Sequence, residues 1–246
     1  MPIQPKHRST LFMTFSVIVF VAAIVLMGVI QQIINARVEK ARHKDDSGLY
    51  NSTIARSVDP LVTVVPKEIL GGKPHPLVTD PQRGATKPTV TIIEFGDFEC
   101  QNCAAMSGVI AQIVAEYPSD VLHVWKDFPL PNVHPYAEDA AVAARCAQDQ
   151  GAFWQYHDVL LQKQSQFVLG PWVTMAGDLG LDTDIFTTCL SDTAKKSMIV
   201  QGYFIAKSLD VDEAPTYYIN NRIVSGIQTY DDIKKIVQDE IDHAQK

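Results

Sequence analysis

Between Leu11 and Ile30 the chain runs for twenty residues without a charged side chain. As a helix that stretch spans roughly 30 Å, the thickness of a bilayer core. Lys6 and Arg8 precede it, but the apolar run exceeds the ~7–15 residues of a cleavable leader, and Ile34-Asn35-Ala36 makes a poor cleavage site. The pattern predicts an uncleaved transmembrane signal anchor at 11–30 behind a short cytoplasmic N-terminus, 1–10. Residues 31–84 alternate charged and Gly/Pro-containing stretches with one apolar run, Leu61–Val65, which reads as an extra edge strand or as linker. They predict a tether, which as random coil would reach roughly 35–40 Å from the membrane.

From residue 85 the periodicity becomes that of a folded domain, 85–246. Thr89–Phe95 is rich in β-branched residues and predicts a buried strand. Met106, Val109, Ile110, Ile113, Val114 and Tyr117 recur at i, i+3, i+4 spacing and predict an amphipathic helix over Asn102–Tyr117. Val121–Phe128 predicts a second strand, and a helical insertion follows over about 132–210. Thr216–Ile219 and Arg222–Val224 flank the turn signal Asn220-Asn221. A capping box at Thr229 and Asp232 opens a last helix with Ile233, Ile236, Val237 and Ile241 on its inner face. Strand–helix–strand, insertion, hairpin and helix make an α/β fold.

Composition narrows the function. The chain has 246 residues, 46% of them hydrophobic, and a net charge of -7. Residues 1–84 carry +4 and residues 85–246 carry -11. An acidic main body excludes a nucleic-acid partner, which would need clustered Lys and Arg to neutralise phosphates. Four cysteines are too few for a disulfide-scaffold fold.

Two of them, Cys100 and Cys103, lie three apart between a strand and a helix, where their sulfurs can meet as a disulfide. Cys100 sits at the helix N-terminus, whose open N–H groups and positive dipole favour thiolate and so a good nucleophile and leaving group. Cys103, one turn in, suits the resolving role. The competing reading is half of a zinc site, which would need two more ligands; Cys146 and Cys189 are single and distant. His123, His134 and His157 show no metal spacing and read as structural, so neither metal nor cofactor is expected. Glu94, inside an apolar strand six residues before Cys100, is either a proton acceptor beneath the pair or a residue of the strand's solvent face. Pro215 is either an ordinary first strand residue or a cis-proline that brings the backbone of Ala214 against the sulfurs. In the second case Ala214 and Thr216 would line a groove that pairs with an extended substrate.

The stretches TVTIIEFGDFECQNC, DFPLPNVHPYAEDAAVAARCAQDQGAFWQYHDVL, DIFTTCL and EAPTYYINNRIVSG, in this order, resemble the DsbA-like branch of the thioredoxin superfamily, the group with a compact helical insertion. The resemblance covers roughly residues 75–245. It implies a thioredoxin-like fold, with Cys100 as attacking cysteine, Cys103 as resolving cysteine, Glu94 as the buried acid and Pro215 as the cis-proline. The dipeptide Gln101-Asn102 departs from the Pro-His of strongly oxidising members, and so bears on the redox poise. Cys146 and Cys189 fall where cysteines recur in this group, and are either two inert buried thiols or a structural disulfide.

The resulting expectation is a membrane-anchored thiol–disulfide oxidoreductase with its domain periplasmic or extracellular, because such chemistry works where protein disulfides form. Arg37, Lys40, Arg42 and Lys44 behind the span would by a bare positive-inside count place the domain in the cytoplasm, a rule that weakens before a long domain. Expected partners are cysteine-containing secreted or envelope proteins and a membrane redox partner that recycles the pair. A dithiol oxidase leads; a reductase or isomerase fed by a membrane donor, and a thiolate metal-binding or metal-delivery domain, are the alternatives.

Overall fold

The computed structural model describes residues 72–245, together with Gly28 and Gln32. The expected anchor at 11–30, apart from Gly28, and most of the expected tether lie outside the described residues. Among the described residues no helix is long and apolar enough to cross a membrane.

Five strands form one sheet in the order β1-β3-β2-β4-β5: β1 Gln82–Gly84, β2 Val90–Gly96, β3 Val121–Asp127, β4 Thr216–Ile219 and β5 Arg222–Ser225. β2 and β3 run parallel, joined by α1 (Gln101–Glu116), and the other neighbours pair antiparallel. Both faces of β2 are covered, so its sequence is almost continuously apolar rather than alternating. Val90 and Ile92 pack with Met106, Ile110 and Ile113 of α1 and with Ile233, Val237 and Ile241 of α7 (Tyr230–Ala244). Ile93 and Phe95 pack into a second cluster with the inserted helices. By the two-residue period of a strand, Glu94 shares the α1 face with Val90 and Ile92.

The insertion consists of α2 (Ala137–Asp149), α3 (Phe153–Gln162), a 3-10 helix (Gln164–Leu169), α4 (Trp172–Asp178), α5 (Thr183–Cys189) and α6 (Thr193–Ser208). The capping box of α7 forms as its sequence predicts, with Thr229 accepting from the Asp232 N–H and the Asp232 carboxylate receiving the Thr229 N–H.

The domain begins earlier than residue 85. Residues 82–84, placed in the tether by their composition, form β1 and pair with Leu122–Val124 of β3. Upstream, Asp80 accepts from the buried Lys126 ammonium at 2.6 Å, and Arg145 donates to the Thr79 carbonyl at 2.7 Å. This strand has no apolar alternation because charged and backbone groups hold it, and Gly84 is required at its end: with φ at +109°, a Cβ would lie 2.3 Å from the Val121 carbonyl oxygen.

Candidate active site

The turn from β2 into α1 places the two thiols. Asp97 accepts the N–H of Glu99 at 2.7 Å and its carbonyl accepts the N–H of Cys100 at 3.2 Å, which folds the chain back before the helix starts. Cys100 is the N-cap, with extended φ and ψ and no side-chain oxygen to satisfy the first N–H groups. Those of Asn102 and Cys103 therefore turn toward its sulfur. Gln164 of the 3-10 helix braces the turn, donating to the carbonyls of Phe98 and Cys100 at 2.9 and 2.8 Å. Gly96 admits the Trp125 ring, which a Cβ there would meet at 2.2 Å.

Cys100 and Cys103 are both free thiols, 6% and 0% exposed. The thiol of Cys103 and the two backbone N–H groups hold the Cys100 thiol down, to about 6. Burial, and after it the neighbouring Cys100, pushes Cys103 well above the ordinary thiol value. One helical turn thus separates an easily formed thiolate from a thiol that holds its proton.

The Ala214–Pro215 peptide is cis, and the Ala214 carbonyl accepts from the Cys100 thiol at 3.3 Å. Thr216, expected to line an open groove, does not. It is buried at the start of β4, with its hydroxyl bonded to the Glu213 carbonyl and to Ser225, because the hairpin closes over it. An open cleft of about 520 Å³ lies beside the helix start, lined by Glu99, Gln101, His134, Leu161 and Gln164 among others. Gln101 and Asn102 are exposed. Asn102 acts on Cys100 through its backbone N–H rather than through its amide side chain.

Glu94 does not face solvent. It is 1% exposed, and burial pushes its carboxyl up to about 7. Tyr217 of β4 donates to Oε1 at 3.2 Å, and His123 Nε2 of β3 lies 2.9 Å from Oε2. Behind His123, Arg83 Nε reaches Nδ1 at 3.2 Å, and the guanidinium stacks over Trp154 at 4.1 Å and approaches Asp158 at 4.0 Å. Neither Arg83 nor the role of His123 was evident from the sequence; the available signal was a histidine at an inward β3 position, in register with Ile92 and next to Glu94. His134 bonds Asp97 at 2.9 Å and is raised by that contact.

Cys146 and Cys189 are bonded to each other, linking α2 to α5 with Cα atoms 5.7 Å apart, so neither is available to complete a zinc site with the CxxC pair. Among the described residues no group of three or more His, Cys, Asp or Glu is placed to hold a metal ion.

A dithiol at a helix start, split in acidity, covered by a cis-proline loop and backed by a buried acid, is an arrangement that can exchange thiols and disulfides. A family model described as "Thioredoxin" matches residues 77–239, and the chain belongs to that family. Its α/β sheet with a helical insertion is shared by solved structures. Among them are the thiol–disulfide exchange protein α-DsbA2 of Wolbachia pipientis (21% identity, TM-score 0.60, 66% of this chain and 87% of that one) and BdbD of Bacillus subtilis (21%, 0.59, 67% and 94%). A third is ScsC of Proteus mirabilis (19%, 0.63, 87% and 97%). Curated relatives include the Na(+)/H(+) antiporters NhaA 3 of Salinispora tropica and NhaA 1 of Salinispora arenicola, 38% and 36% identical over 143 residues. Those matches take in 58% of this chain and 22% of each antiporter, so the chain spans about a fifth of the length of the curated relatives it matches.

Proposed function

We propose that this protein is a membrane-anchored dithiol oxidase whose domain works outside the cytoplasmic membrane, on cysteine-containing secreted or envelope proteins. The observation that carries the reading is the split acidity of the pair, with Cys100 at about 6 and Cys103 well above the ordinary thiol range. In the oxidised protein a client thiolate attacks the Cys100 sulfur. The Cys100–Cys103 bond breaks, its electron pair leaves on Cys103, and that sulfur takes up a proton, for which Glu94 is the nearby donor. A second client thiolate then attacks the client sulfur of the mixed disulfide and displaces Cys100 as a thiolate, a good leaving group at this acidity. The client leaves oxidised by two electrons, and the protein holds them as a dithiol. A membrane redox partner must remove those electrons to reload the disulfide. A Cys100 value of about 6 lies below the ≈ 7 of thioredoxin and above the ≈ 3.5 of DsbA, which supports an oxidant of intermediate strength. The apolar run at 11–30 supplies the anchor, and the Cys146–Cys189 bond supports a compartment where disulfides persist.

The test is two-part. Cys103→Ser should accumulate mixed disulfides with client proteins while Cys100→Ser accumulates none. Equilibration of the pair with glutathione should give a potential above the about -270 mV of thioredoxin. A value at or below that figure would make the protein a reductase, and trapped adducts on Cys100→Ser alone would reverse the roles.

A further inference from the structure

The carboxylate beneath the CxxC pair is reached by a line of side chains that starts on the edge strand. Arg83 can only donate hydrogen bonds, so its Nε, 3.2 Å from His123 Nδ1, requires that nitrogen to be bare. Burial and Arg83 both push the His123 ring well below its ordinary value, so it is neutral and carries its single proton on Nε2. That proton points at Glu94 Oε2, 2.9 Å away. With Oε2 already accepting from a fixed donor, a proton arriving at Glu94 is favoured on Oε1. There the partner is the Tyr217 hydroxyl at 3.2 Å, which can rotate from donor to acceptor.

The geometry points to Arg83 and His123 as positioning residues for the reaction: together they hold Glu94 ready as a base and direct its proton to Oε1, on the β4 side. The inference rests on the reading that Glu94 takes the Cys103 proton. Every element around Glu94 contributes a titratable or charged group: Arg83 from β1, His123 from β3, Tyr217 from β4, His157 and Asp158 from α3, and Cys100 and Cys103 from α1. Of these, Arg83 is the permanent cation: its charge favours the Glu94 carboxylate directly, and its Nε fixes the His123 ring. The arrangement is a poor way to stabilise a sheet. Burying such groups is unfavourable against a well-packed apolar replacement, and Arg83 Nη2 and His157 Nε2 are buried without a hydrogen-bond partner. Such unsatisfied atoms point to retention for a task rather than for stability.

The step to measure is resolution. The reduced full-length protein is mixed with glutathione disulfide to form Cys100–glutathione; the Cys103 thiolate then attacks Cys100, glutathione leaves as thiolate, and the Cys103 proton passes to Glu94. Glutathione release against pH should rise through a limb near the Glu94 value of about 7. His123→Leu should move that limb up by about one pH unit, and Arg83→Met should move it the same way by less. His123→Gln, which restores an N–H donor, should bring it back. On a Glu94→Gln background neither substitution should shift the profile further. Isotope-edited infrared titration of the Glu94 carboxyl gives the same shifts without relying on turnover. If Glu94→Gln removes the limb while His123→Leu and Arg83→Met leave both readouts at the wild-type midpoint, the positioning role is wrong and the base stands. If Glu94→Gln itself leaves the profile unchanged, the base reading fails and the positioning role with it.

Discussion

Replacing Cys146 and Cys189 together by alanine tests how far the inserted helices rely on their cross-link. The bond joins residues 43 apart in sequence, from the C-terminal end of α2 to the last residue of α5. On the chain-entropy model a ring of that size restricts the unfolded state by roughly 4 kcal/mol at 25 °C. Cys146 is fully buried, so loss of its sulfur adds a small packing deficit in the same direction. A total near 4 kcal/mol is a large share of the ~5–15 kcal/mol that holds an ordinary domain together. The domain should still fold at 25 °C, with a urea midpoint lower by about 1.3–4 M for slopes of about 1–3 kcal/mol/M. The substitutions are best made in a Cys100→Ala/Cys103→Ala background, where the only disulfide left among the described cysteines is the one under test, and adding reductant to the parent should reproduce the same loss. With the active-site cysteines retained, exchange with glutathione at 25 °C should be unaffected, because the bond lies in the insertion and not among the groups that touch Cys100. A loss below about 1 kcal/mol with an unchanged slope would refute the reasoning.

Thiolate absorbance should titrate Cys100 with a midpoint of about 6; Cys103→Ala removes the largest contributor and should raise that midpoint, while Asn102→His, by adding a charged side-chain donor, should lower it. Gly96→Ala puts a Cβ 2.2 Å from a Trp125 ring that is stacked on Phe98 and hydrogen-bonded to Asp127, so it cannot move aside. That substitution should cost about 3 kcal/mol in urea unfolding and slow exchange by displacing the turn before Cys100. His134 has a raised value because of Asp97, so its contribution is complete below the unfolded histidine value and is lost as pH rises through the folded one. His134→Gln should therefore flatten the fall in stability above about pH 6.5, and an unchanged stability–pH curve would show that the contact contributes nothing.

The parts of this molecule that could be read from sequence are those with a local signature. The apolar run of β2, the helical spacing of α1 and the Thr229/Asp232 cap each occupy a few consecutive residues, and each forms within a residue or two of its expected bounds. The CxxC pair is local in the same sense, and Glu94 stood out because a carboxylate inside an apolar strand is anomalous. What escaped was held by contacts across the chain. β1 is three residues of no apolar pattern, paired to a strand some forty residues later. The Arg83–His123–Glu94 line joins three strands, and no spacing along the chain announces it. The burial of Thr216 follows from Ser225 closing over it across the hairpin, where the sequence allowed an open groove. The Cys146–Cys189 bond was one of two readings the sequence offered, and the folded insertion, which brings α2 against α5, decides for it.

The carbonyl that covers the Cys100 sulfur belongs to Ala214, 114 residues further along. A ribosome adding ≈ 5–20 residues each second delivers it roughly 6–23 s after the thiol. Throughout that interval the nascent chain carries the dithiol without its β4 neighbour, while Cys146 and then Cys189 emerge and could pair with it. Cys100 and Cys103 close a ring with only two residues between them, far smaller than any competing pairing. Asp97 and the first N–H groups of their helix turn are made beside them, before Gln164 arrives to brace it. An early Cys100–Cys103 bond, its two electrons and two protons taken by the proposed membrane redox partner, would leave the two later cysteines no partner but each other. Chain order would then sort the four thiols into Cys100–Cys103 and Cys146–Cys189.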